Sequence, residues 1–206
     1  MTVVDPAPVG APSLIARVQG ILMSPRTEWD KIDVEPATPQ SLFTGYACIL
    51  AAIPAIAIVI QSLVFTHMAV VGLVIGVLGY VTSLIGVFVM AFIIDALAPS
   101  FGAQKSQIQA LKLTVYSYTA SWVAGILSIV PILGILAALA GLYGLYIMYL
   151  GLPKLMKSPP DKTVGYFVVS IVVAIVVNII IGVIVGAVTA MMMMGAIATS
   201  SAAISH

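Results

Sequence analysis

Apolar residues fill five long blocks of this chain, each interrupted by few polar positions: Phe43–Phe65, Ala69–Ala96, Leu113–Val130, Ile132–Gly151 and Val164–Val188. A helix needs roughly 20 apolar residues to cross the hydrocarbon core of a bilayer, so each block predicts a transmembrane helix. Backbone N–H and C=O groups find no partner in hydrocarbon unless a helix or closed barrel supplies one, and the short alternating strands of a barrel are missing. The first two blocks are split only by Thr66-His67-Met68, the third and fourth only at Pro131. Both joints are therefore tight hairpins. The pattern predicts an all-α polytopic membrane protein, a five-helix transmembrane bundle with N-terminal amphipathic helices.

Ahead of the first block the pattern changes. Residues 1–12 are rich in proline and alanine and predict a disordered N-terminus. Residues 13–42 form an amphipathic segment. Leu14, Ile15, Val18, Ile21 and Leu22 recur at helical spacing around Arg17. Ser24-Pro25 reads as an N-cap and first helical residue, and Trp29 and Ile32 share a face of the helix that follows. We expect this segment to lie in the plane of the inner leaflet, with Trp29 and Arg17 at the interface as docking groups. Packing on the bundle is the alternative. The first long apolar run begins too deep for a cleaved signal peptide, which predicts insertion through the chain's own spans.

Composition sharpens this picture. The chain is 62% hydrophobic and 7% charged, against about 25% charged residues in soluble domains. A net charge of +1 gives no field for nucleic acid. The single cysteine, Cys48, forms no internal disulfide. Five crossings place segments 1–42, 97–112 and 152–163 on one side, and these hold all eight Lys and Arg residues. Positive loops face the cytoplasm, so the N-terminus is expected inside and the tail 189–206 outside.

Small residues mark expected packing seams. Gly72, Gly76, Gly79, Ser83 and Gly86 recur along the second span, and Gly182 and Gly186 on the fifth. Gly134, Ala138, Gly141 and Gly144 repeat the idea on the fourth. Asp95 sits near the cytoplasmic end of the second span, where it would face water or pair with Lys105 or Lys112; an intramembrane carboxylate is also a candidate functional group. Asn178 is expected to hydrogen-bond to another helix. Tyr116, Tyr118 and Tyr146 approach one level and would frame a hydrated inner vestibule, or simply an aromatic belt.

No catalytic set emerges. Metal-ligand spacing, a nucleophile elbow and a phosphate-cradling glycine loop are all missing from the sequence. The expectation is a non-enzyme with no cofactor, whose partners are membrane lipid and other membrane proteins or itself.

Three stretches carry a resemblance: Leu14–Trp29 (LIARVQGILMSPRTEW), Phe101–Leu127 (FGAQKSQIQALKLTVYSYTASWVAGIL), and Ile129–Leu152 with Lys154–Tyr166. They resemble the opening helix, second loop with third span, and Pro-x-x-Gly hairpin with basic loop of Yip-domain membrane proteins. The resemblance covers residues 13–188 and implies a five-span protein, more like the bacterial branch, and so a bacterial inner membrane. Eukaryotic members bind Rab-type GTPases, but their acidic Asp-Leu-Tyr-Gly-Pro motif is absent, which argues against GTPase binding. The resulting expectation is a non-catalytic scaffold or adaptor, with a channel or transporter for a small solute or lipid as the alternative. An accessible cavity between the third and fourth spans at mid-membrane would favour the alternative, and a solid bundle the scaffold.

Overall fold

The computed structural model describes residues 12–204. The expected disordered segment 1–12 lies outside the described residues except for Pro12. Among the described residues the chain is helical throughout, without strands.

Two short helices open the structure, α1 (Leu14–Met23) and α2 (Pro25–Val34). Ser13 caps α1 by accepting from the Ala16 N–H at 3.3 Å. Ser24 stands at the N-cap of α2 with Pro25 behind it, where a missing N–H costs nothing. A reciprocal Thr38–Ser41 capping box then starts α3 (Pro39–Thr66). His67, in the left-handed region at φ 55°, turns the chain into α4 (Ala69–Phe101). These are the first hairpin and the first two crossings.

The third crossing is not the single helix that Leu113–Val130 predicts. It is built from α5 (Gln107–Ser117), α6 (Thr119–Ala124) and a 3-10 turn over Gly125–Ile129. Side-chain hydroxyls compete with the backbone here: Thr114 donates to the Ala110 carbonyl and Thr119 to the Tyr116 carbonyl. Past Lys112 the pieces from Leu113 to Ile129 hold about 25 Å of contour at ~1.5 Å per residue, shorter than any of the four long apolar helices. Val130 turns extended, Pro131–Leu133 forms a 3-10 turn, and α7 (Gly134–Leu155) returns. Helix α8 (Pro160–Ile204) completes the chain. The expected tail 189–206 is thus helical through Ile204, continuous with the fifth crossing. Four helices are each long and apolar enough to cross a membrane, and the segmented third crossing packs among α3, α4 and α7.

The core lies toward the basic end, where α1 and α2 close over the crossings. Ile21, Trp29, Ile32, Ile94, Leu113, Ile147, Leu152 and Tyr166 are all fully buried there. Toward the other end, large apolar side chains such as Val70, Leu73, Ile132 and Val183 point outward, as they must where hydrocarbon is the solvent.

Small residues divide by location. A Cβ on Gly72 would meet Ser62 at 2.3 Å, and one on Gly76 would meet the Ala55 carbonyl oxygen at 2.9 Å. These two seat α4 against α3. A Cβ on Gly79, Gly86, Gly134, Gly182 or Gly186 would meet nothing within 4 Å among the described residues. The single seam expected along the second span is therefore half a seam, because Gly79 and Gly86 face open space while α4 and α3 stay together beyond Gly76, both lining one groove as far as Tyr80. Pro54 breaks the α3 ladder and packs on Gly125, where an added Cβ would sit 2.6 Å from the proline ring.

Candidate functional site

The chain gathers its polar groups beneath the α1–α2 cap. The two helices cross closely at Gly20, where a Cβ would meet the Glu28 carboxylate at 2.5 Å. That approach brings Arg17 to Glu28 at 2.6 Å and to Glu35, with Lys31 closing on Glu28 at 2.8 Å. Arg17 and Glu28 are both only 4% exposed. Burial works against the Arg17 charge. The hydrogen bond and field of Glu35, with Tyr116 and Glu28 behind them, outweigh it and hold the guanidinium pKa above its usual range. The guanidinium also lies 5.5 Å from the Tyr116 ring centroid, a cation–π contact.

Below this ion cluster sits an aromatic layer. Tyr116 takes edge-on contacts from Tyr46 at 4.8 Å and Trp29 at 6.4 Å. The Tyr46 hydroxyl pairs with Thr119 Oγ1 at 2.8 Å. Trp29 Nε1 donates to the Ile147 carbonyl at 3.0 Å, and its ring fills the space left by Gly151, where a Cβ would come within 2.5 Å. Further hydrogen bonds tie the cap to the bundle. Lys112 Nζ donates to the carbonyls of Ile32 at 2.9 Å and Glu35 at 2.5 Å, and Tyr143 donates to Leu22 at 2.6 Å. Lys154 pairs with Asp30 and Lys157 with Asp33, each at 2.5 Å on the rim. A cleft of about 280 Å³ remains between Arg17, Glu35, Tyr46, Lys112 and Tyr116.

These positions revise several expectations. Trp29 and Arg17 are not interfacial docking groups; both face into the bundle, because Gly151 receives the indole and two carboxylates receive the guanidinium. The shared tyrosine vestibule does not form. Tyr116 is sealed beneath Arg17, Tyr118 is half-buried against Trp122, and Tyr146 points outward at 45% exposure. Asp95 pairs with neither Lys105 nor Lys112 among the described residues. It is 8% exposed, and its Oδ1 has no hydrogen-bond partner among the described residues. Asn178 does not reach another helix either. It is exposed, and its amide donates to the Ala174 carbonyl one turn back at 2.8 Å.

Glu28, Glu35 and Tyr46 were not singled out by sequence, and Lys112 was expected as a partner of Asp95 and not of the cap carbonyls. One signal was available: Glu28 shares the apolar face of α2 with Trp29 and Ile32. A carboxylate on that face is poorly suited to an anionic leaflet and well suited to a buried cation.

The Yip1 domain model matches residues 20–182, which spans α1 to the middle of α8 and includes the whole cap junction except Arg17. The chain belongs to the Yip1 domain family. No curated protein and no solved structure gives a significant match. The Yip1 domain of this chain is thus a helical membrane bundle whose amphipathic N-terminal helices form a lid on its basic end. Among the described residues, no group of three His, Cys, Asp or Glu side chains could hold a metal ion.

Proposed function

We propose that this Yip1 domain protein is a non-catalytic scaffold or adaptor of a bacterial inner membrane, with its N-terminus and basic loops in the cytoplasm and its C-terminus across the bilayer. One observation carries the reading. Arg17, Glu28, Glu35, Lys112 and Tyr143 are spent on one another and on backbone carbonyls, holding α1–α2 to the crossings. The cap is thereby a rigid platform. Its outer rim, with Arg26, Asp30 and Lys154 around a cleft of about 460 Å³, is the surface assigned to protein partners or a second copy. The orientation is supported by the one-sided placement of all eight Lys and Arg residues. The bacterial placement is supported by likeness to that branch of the family.

Photo-crosslinking in intact cells, from probes at Arg26 and Asp30, tests the assignment. Specific crosslinked bands are expected from the rim, and they should vanish with Arg26→Glu while the chain still folds. Bands that persist in that variant, or that arise equally from a probe at Ile132, would defeat the adaptor reading. A second reading, passage of a small solute or lipid, has one observation in its favour: a groove of about 230 Å³ between the third and fourth crossings. Solute flux or lipid scrambling in proteoliposomes above that of empty vesicles would replace the first reading with the second.

A further inference from the structure

Four crossings meet around that groove, which no part of the cap lines. Met90 of α4, Ser117 and Ser121 of the third crossing, Gly144 and Met148 of α7, and Ala174 of α8 line it. Glycine lets α7 approach here: a Cβ at Gly144 would sit 2.9 Å from the Ser117 carbonyl oxygen and 3.6 Å from Ser121 Oγ. Ser117 is 2% exposed, and its hydroxyl has no hydrogen-bond partner among the described residues.

Depth narrows the occupant. Ser117 lies about 7.5 Å of helix rise from Lys112, at ~1.5 Å per residue, and Lys112 is tied to the cap at the bundle mouth. The groove therefore sits within the leaflet on the Lys112 side. From Gly141 to Met148 it runs about 10 Å along α7, most of the roughly 15 Å of hydrocarbon in one leaflet. Its volume falls below the roughly 300–1,000 Å³ of pockets for drug-sized ligands. A water would need 2–4 polar partners, as buried waters generally do, and the walls are chiefly methylene, methyl and sulfur. The abundant molecule at that depth is a hydrocarbon chain, and the groove has room for a segment of one.

We propose that the groove holds one acyl chain of a phospholipid from that leaflet as a resident ligand. The chain runs along the groove past Ser121 toward the bilayer centre. This goes beyond the adaptor reading and requires no transport.

The full chain can be placed in nanodiscs of phosphatidylethanolamine and phosphatidylglycerol, extracted into detergent, washed, and weighed by native mass spectrometry. Wild type should retain one phospholipid per chain. Gly141→Leu and Ala174→Leu should retain at least tenfold less. A Cβ at Gly141 meets only Ser121 Oγ, at 3.9 Å, so a leucine there enters the groove without striking backbone. Gly79→Leu, on an open face of α4, should retain the lipid as wild type does, and thermal melting verifies that each variant folds. Equal retention in wild type and both groove variants overturns the proposal, as does a bare wild-type chain or a retained mass equal to a free fatty acid. Should one groove variant fail to fold, the other decides.

Discussion

Replacing Trp29 by alanine tests the central packing claim. The indole is fully buried, donates one hydrogen bond to Ile147, touches the Tyr116 edge and fills the notch at Gly151. Truncating a buried tryptophan costs about 3–5 kcal/mol, including the void left behind. The lost hydrogen bond, about 0.5–1.5 kcal/mol, and the aromatic contact are of similar size to each other and are largely contained in that range. The loss falls on the junction between α2 and α7, not on the crossings, so the cap should open while the bundle stays inserted. At about 1.4 kcal/mol per factor of ten, opening of α1 and α2 becomes roughly a hundred- to several-thousand-fold more frequent. Hydrogen exchange of the α1 and α2 amides in nanodiscs reads this directly. Trp29→Phe, which keeps most of the ring, should lie between wild type and alanine. Unchanged exchange in Trp29→Ala, or strong quenching of Trp29 by brominated lipid in a chain carrying Trp122→Phe, would refute the buried placement and restore the interfacial one.

Removing one member of a buried ion pair typically costs about 3–5 kcal/mol, so Arg17→Met should also free the cap to exchange. Restoring apolar complementarity with Glu28→Leu in the same chain should recover part of it, and absence of any coupling in that double-mutant comparison would contradict the ion cluster. Gly76→Leu should lower the melting temperature in detergent, because its side chain meets the Ala55 carbonyl. Gly79→Ala and Gly86→Ala should raise stability by up to about 1 kcal/mol each through helix propensity; the reverse order would mean that the α3–α4 contact is misplaced. Asn178→Leu should leave the melting temperature of the monomer unchanged, since the amide bonds only within its own helix; a marked fall would show a partner helix at that position.

The crossings were legible because hydrocarbon imposes one requirement, length without charge, and Phe43–Phe65 and Ala69–Ala96 satisfy it within about five residues of an observed helix, while Val164–Val188 falls inside a helix that runs on to Ile204. The break at Tyr118 was hidden because a threonine that bonds a nearby carbonyl looks no different in sequence from one that does not. The cap was misread for a related reason. An apolar helical face with Trp29 on it suits a lipid surface and a protein surface equally, and the notch that decides between them is Gly151, more than a hundred residues away. Asn178 shows the converse. A polar residue in an apolar run implies a partner only if no carbonyl of its own helix can serve, and Ala174 serves.

That long separation has a consequence for biogenesis. Trp29 leaves the ribosome well before Ile147, its acceptor, 118 residues later in the chain. At roughly 5–20 residues per second, synthesis alone imposes a delay of about 6–24 s before the fourth crossing exists. Throughout that interval α1 and α2 have nowhere to seat, and their sticky side must be shielded by a chaperone or the nearby bilayer. The lid is among the earliest parts made and among the last that can close. A nascent chain stalled before Ile147 should carry it open.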